Sequence, residues 1–133
     1  VPNLVAYAVT LVVFLVLDAL WLGLFAAEYF ARELGSLLRP QPYLPPAAVF
    51  YLLYPAGLVA LAVIPAIEAA SWRKGARLGA ILGLTAYGTF ELTNLAIVQG
   101  WKPSLAVLDM AWGTLVSAIA AAAGAAAGLR WGR

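Results

Sequence analysis

Residues 4–27 read LVAYAVTLVVFLVLDALWLGLFAA, and Asp18 is the only charge among them. A helix needs about 20 largely apolar residues to cross the ~30 Å hydrocarbon core of a bilayer, and this run exceeds that length. It reads as a membrane span rather than a secretory signal peptide. No basic stretch precedes it, it is too long for the apolar segment of such a peptide, and it carries an acid. Three further stretches qualify as spans: 47–69, 76–98 and 104–128. The expected fold is therefore all-α, a single-domain integral membrane four-helix bundle.

Composition agrees. Of the 133 residues, 65% are hydrophobic and 11% charged, with a mean hydropathy of +0.93. A soluble domain carries roughly 25% charged residues to face water, so this chain belongs in a bilayer. It has no Cys and no His, which removes disulfides, thiolate nucleophiles, the commonest metal ligand and the usual general base. A metal would need oxygen ligands alone, and neither a metal nor a cofactor is expected. The net charge of +2, without a basic patch interleaved with aromatics, gives no reason to expect a nucleic-acid partner.

Between the first two spans, Arg39-Pro40-Gln41-Pro42-Tyr43-Leu44-Pro45-Pro46 is expected to be non-helical, because each proline biases its predecessor toward extended geometry. Residues 28–38, just before it, alternate Glu28, Arg32 and Glu33 with Tyr29, Phe30, Leu34 and Leu37. This pattern suits an amphipathic continuation at the membrane surface. Pro55 and Pro65 are expected to kink helix 2. Arg73, Lys74, Arg77, Arg130 and Arg133 fall on one side of the bundle, and Arg32, Arg39 and Lys102 on the other. The excess predicts that both termini lie in the cytoplasm. Gly75, Gly79 and Gly83 form one row of small residues, and Ala120, Gly124 and Gly128 another. Such rows suit close packing inside the bundle, or alternatively a homodimer or larger membrane complex.

Three acids lie within the spans: Asp18 in helix 1, Glu91 in helix 3 and Asp109 in helix 4. Each costs roughly 2.5–3.5 kcal/mol near the bilayer centre on insertion scales, and no Lys, Arg or His lies within a span to offset them. Counted from the helix ends at ~1.5 Å per residue, all three fall at one level near the outer face. Desolvation and mutual repulsion imply that the cluster keeps at least one proton among its members. Trp21, Asn94 and Trp112 follow their acids by three residues, which places each on the same helix face. In helix 1 the face continues through Tyr7, Thr10, Phe14, Asp18, Trp21 and Phe25, and helix 3 adds Tyr87. Tyr51 and Tyr54 sit at the same level in helix 2. Together Asp18, Trp21, Tyr51, Tyr54, Tyr87, Glu91, Asn94, Asp109 and Trp112 are the candidate lining of an aromatic-walled acidic pocket. Trp101 and Tyr43 read as interfacial aromatic belt, and Ser104 as a helix N-cap.

The runs L-D-A-L-W-L-G (17–23), F-Y-L-L-Y (50–54), E-L-T-N-L-A (91–96) and L-D-M-A-W-G (108–113) resemble the bacterial inner-membrane family catalogued as domain of unknown function 2177. Glu91 stands where the family pattern has Asp in many members, which keeps the charge and lengthens the reach. The resemblance implies four membrane helices and supplies no activity. In layout the chain is also similar to small sterol-isomerase and sigma-2-receptor-like bundles, which implies an apolar or amine-bearing ligand.

Three functions remain open on sequence alone. The leading one is binding of a lipid or small lipophilic or cationic ligand, with acid chemistry as its extension. The alternatives are a dimeric proton-linked transporter of a small solute and a structural subunit of a membrane complex. The cytoplasmic half of helix 4, Ala118 to Ala127, carries no polar side chain, which weighs against a proton path through one copy.

Overall fold

The computed structural model describes residues 2–131, and Arg133, used above in weighing the orientation, lies outside them. The chain forms four long helices, and no strand occurs among the described residues. The first, α1, is one rod of Pro2–Trp21, a π-helical turn Leu22–Ala26, Ala27–Leu34 and a 3-10 turn Gly35–Leu37. The second, α2, covers Leu44–Glu68 with a π-helical turn at Val59–Val63. Then follow α3, Trp72–Ile97, and α4, Pro103–Trp131.

Helix ends depart from expectation for local reasons. The amphipathic segment does continue α1, as expected, and it does so through the π-helical turn. Over 35 residues that rod is about 52 Å long, so its last turns extend past a ~30 Å core. The proline-rich loop ends earlier than expected, since Leu44, Pro45 and Pro46 already belong to α2, with proline in its first turn. There a missing N–H costs nothing and the fixed φ favours the helix. Likewise α3 starts at Trp72 because the Ser71 side chain accepts from the Lys74 backbone N–H at 3.2 Å, satisfying a donor that has no partner within the helix.

In α2, Pro55 sits inside the helix and cannot donate to the carbonyl four residues back, that of Tyr51. Between Pro55 and Pro65 the hydrogen-bond ladder widens into the turn Val59–Val63, the kind of local adjustment that lets a membrane helix carry proline.

Three of the four helices, α1, α2 and α4, are long and apolar enough to span a membrane. Four such spans were expected, and α3 falls short on apolarity rather than length. It carries Arg73, Lys74 and Arg77 in its first turns and Thr85, Thr89, Glu91, Thr93 and Asn94 further on. Its buried face is mostly glycine: Gly75, Gly79, Gly83 and Gly88.

That glycine face explains the packing. The most extensive contact in the fold is α3 on α4, followed by α1 on α4. A Cβ on Gly79 would lie 2.5 Å from the Ser117 carbonyl oxygen and 2.8 Å from the Ala121 Cβ, and one on Gly83 would collide with the Gly113 carbonyl. On α4, Gly124 meets Thr10 and Ala6 of α1, and Gly128 meets Ile67 of α2. Both rows of small residues thus pack within the chain. With little hydrophobic drive for helix association in lipid, such close approach is the main source of attraction.

The bundle is uneven along its length. At the end holding the start of α1, Ala6, Ala62, Val63, Ala66, Ala121 and Ala125 form a fully closed small-residue core. Towards the other end large aromatic side chains replace alanine, and helices that glycine holds together in one half are kept apart in the other.

Candidate functional site

In the aromatic half the helices surround a cavity of about 400 Å³. Phe14 of α1 is fully buried and meets Phe50, Tyr51 and Tyr54 of α2 at centroid separations of 6.1, 6.2 and 5.3 Å. Tyr54 in turn meets Tyr87 of α3 edge-on at 6.0 Å. Tilted and edge-to-face pairs of this kind contribute roughly 0.5–1.5 kcal/mol each beyond their burial.

Another side is an aromatic column along α1. The Trp21 and Trp112 rings stack at 4.8 Å with planes 5° apart. Phe25 lies 5.2 Å from Trp21, and Tyr29 5.1 Å from Phe25. The Tyr29 hydroxyl donates to the Ser104 hydroxyl at 3.1 Å, so Ser104 joins α4 to α1 where an N-cap was expected. The π-helical turn Leu22–Ala26 lies on this column, and both its terminal residues line the cavity. Such turns recur at functional sites because the extra residue reorients neighbouring side chains.

Asp18 is the polar centre. It is buried, the Tyr51 hydroxyl donates to its Oδ2, and the Trp112 indole N–H donates to its Oδ1 at 3.1 Å. Two donors on separate helices hold the carboxyl in one orientation, and neither brings a positive charge. Asp109 enters the same cavity from α4. Glu91 is fully buried, and the Trp101 indole donates to its Oε1 at 2.8 Å.

The residues expected from sequence are therefore placed as follows. Asp18, Trp21, Tyr51, Tyr54, Tyr87 and Asp109 line the cavity. Trp112 stands behind it, bonded to Asp18 and stacked on Trp21, and Glu91 is buried outside the lining, bonded to Trp101. Asn94, one turn beyond Glu91, is not among the lining residues.

Sequence reasoning missed several contributors. Phe30, Phe50 and Phe90 line the cavity, and Trp101, read as belt, instead holds Glu91. Phe50 adjoins Tyr51 and Phe90 adjoins Glu91, so neighbourhood was the available signal for both. No pattern on the helix faces could connect Trp101, in the α3–α4 loop, to Glu91. Ser117, which shares a 2.7 Å hydrogen bond with Tyr54, was also not foreseen.

The profile of a family described as "Predicted membrane protein (DUF2177)" matches residues 3–126. The chain belongs to this family. The match takes in all four helices and every residue of the cavity, so the cavity lies wholly within the family's domain. No curated protein and no solved structure matches the chain.

Proposed function

We propose that the protein binds a small lipophilic ligand with a cationic or hydrogen-bond-donating end, held in the cavity between Asp18 and Asp109. The observation that carries this reading is the lining itself: aromatic and apolar walls, two carboxyl groups, and no Lys or Arg. A volume near 400 Å³ falls in the ~300–1,000 Å³ range of small-molecule sites, whose usual make-up is an apolar wall with a few convergent polar groups. Aromatic faces add cation–π attraction for a positive headgroup. Acids used only to join helices would be poorly chosen, since an interhelical hydrogen bond in a bilayer contributes about 0.6 kcal/mol on average.

The closed half of the bundle argues against transport by a single copy. Its buried polar side chains are Thr10 and Ser117. The first donates to the Ala6 carbonyl at 2.7 Å and the second is bonded to Tyr54, so neither starts a polar path to that end.

Native mass spectrometry with lipidomics on protein extracted in mild detergent tests the proposal. A bound apolar species is expected on the wild type and should be lost or several-fold depleted in Asp18→Asn. Equal occupancy in both, or none in either, would count against it.

The proposed setting is a bacterial inner membrane, with both termini in the cytoplasm and the cavity in the outer half. The support is the basic residues at the closed end: Arg73, Lys74 and Arg77 beginning α3, and Arg130 ending α4. Single cysteines introduced beside Arg73 and Lys102 should be labelled by a membrane-impermeant maleimide from the cytoplasmic and the external side, respectively. The reverse pattern would invert the orientation.

A further inference from the structure

The two parts of α2 have different neighbours. Val59–Glu68 packs on α3 and α4, whereas the main neighbour of Leu44–Leu58 is α1. The fork falls where Pro55 and the π-helical turn Val59–Val63 interrupt the hydrogen-bond ladder, the kind of break at which helices change direction. Above it, side chains bridge α2 to its neighbours: Tyr54 meets Tyr87 of α3 and shares a hydrogen bond with Ser117 of α4. One turn further on stand Phe50 of α2 and Phe90 of α3. Both line the cavity, yet they are 39% and 55% exposed, so the cavity opens to the flank of the bundle between these two helices. Phe50 packs on Phe14 and Tyr54, and Phe90 stands edge-on to Trp101 at 6.0 Å, which gives the opening fixed sides.

The end away from the closed core is covered. Tyr29 donates to Ser104, and the Leu37 side chain comes within 3.8 Å of the position a Cβ would take on Gly100. The amphipathic end of α1 is thus tied to the start of α4 and to the loop before it, and Phe30 on this segment lines the cavity. Phe50 and Phe90 stand about 10 Å along their helices from the ends nearest that cover. With α2 long and apolar enough to span a membrane, an opening at that depth on its flank faces acyl chains.

We propose that the ligand is a chain-bearing amphiphile taken from the bilayer. It enters sideways between α2 and α3, its cationic or donor head reaches Asp18 and Asp109, and its chain runs between Phe50 and Phe90 into the lipid. This rests on the cavity being a ligand site, and it narrows the ligand to a molecule dissolved in the membrane. Each methylene of the chain raises its concentration in the bilayer about fourfold, so the membrane presents such a ligand directly to the opening.

The probes are two decyltrimethylammonium analogues, one with a diazirine beside the charged head and one with it midway along the chain. Each is added to the full chain in zwitterionic nanodiscs, irradiated, and its attachment sites are mapped by peptide sequencing. The head probe should mark the cavity at Tyr54, Tyr87 or Asp109, and the chain probe the opening at Phe50 and Phe90. Excess unlabelled decyltrimethylammonium should reduce both several-fold. A chain probe found at Ala26 and Phe30, or at the same residues as the head probe, overturns the inference and leaves the cavity as a ligand site. Failure of the head probe to mark the cavity overturns both readings.

Thiol access gives a second measurement. The chain has no Cys, so Ala86→Cys puts a single thiol on the cavity wall. Relative to Lys102→Cys in the α3–α4 loop, it should favour N-decylmaleimide over a sulfonated, membrane-impermeant maleimide by at least tenfold. The absence of that preference would mean that the cavity opens to water, and would overturn entry from the bilayer.

Discussion

Gly113→Val is expected to destabilise the bundle at or above the upper end of the ~1–3 kcal/mol usual for overpacked cores. A Cβ at this position would overlap the ring of Tyr87, whose Tyr54 contact helps wall the cavity. The ring must leave its place or α3 must leave α4, and the glycine rows fix α3 against α4 one and two turns away. Unfolding followed by circular dichroism in detergent measures the loss. Tyr87→Ala in the same chain should restore much of it, because neighbours that share a space are non-additive. A Gly113→Val protein as stable as the wild type would mean that this contact between α3 and α4 is wrong.

Asp18→Leu is the second large effect expected. It leaves the Tyr51 hydroxyl and the Trp112 indole without their acceptor. At roughly 1–3 kcal/mol for each buried donor left unpaired, the cost should total about 2–4 kcal/mol, since both donors are only partly buried. Asp18→Asn should stay close to wild-type stability. Its carbonyl can still accept from Trp112 and its amide can donate to the Tyr51 oxygen. The pair of variants therefore separates two roles of one side chain, with Leu disrupting the structure and Asn removing only the charge. If both variants unfold alike, the charge of Asp18, rather than its hydrogen bonds, holds the helices.

Fold class was readable because bilayer thickness sets a length that apolar runs must reach, and four runs reached or approached it. Helix ends were less readable. Proline was taken as a breaker at 45 and 46, where the first turn of α2 accommodates it, and the Ser71 cap was overlooked beside three basic residues. The amphipathic continuation of α1 after residue 27 was legible in the alternation of Glu28, Arg32 and Glu33 with apolar residues, whereas the π-helical turn that carries the backbone into it was not. The apolarity of α3 was overestimated because glycine packs well without contributing much hydropathy.

For the cavity, the three-residue offset of aromatic and acid placed Trp21 and Trp112 near Asp18, since helical periodicity fixes which side chains share a face. It could not say which acid would meet which partner. Asp18 takes donors from α2 and α4, and Glu91 takes one from a loop. These pairings depend on how the helices are rotated, and close contacts such as Gly113 against Tyr87 set that rotation. Asn94 shows the limit of the same argument: it shares the face of Glu91, yet the cavity ends one turn earlier.

The central claim is that a lipophilic ligand occupies the space between Asp18, Tyr87 and Asp109, and photo-crosslinking tests it most directly. A benzophenone-bearing alkylammonium is applied to the protein in nanodiscs, irradiated, and its attachment sites are mapped by peptide sequencing. The account predicts crosslinks concentrated at 50–54 of α2 and 86–90 of α3, suppressed by excess benzyltrimethylammonium and strongly reduced in Asp18→Asn. Crosslinks spread over the exposed apolar residues Val12, Leu24, Leu61 and Val107, insensitive to competitor and to Asp18→Asn, would contradict it.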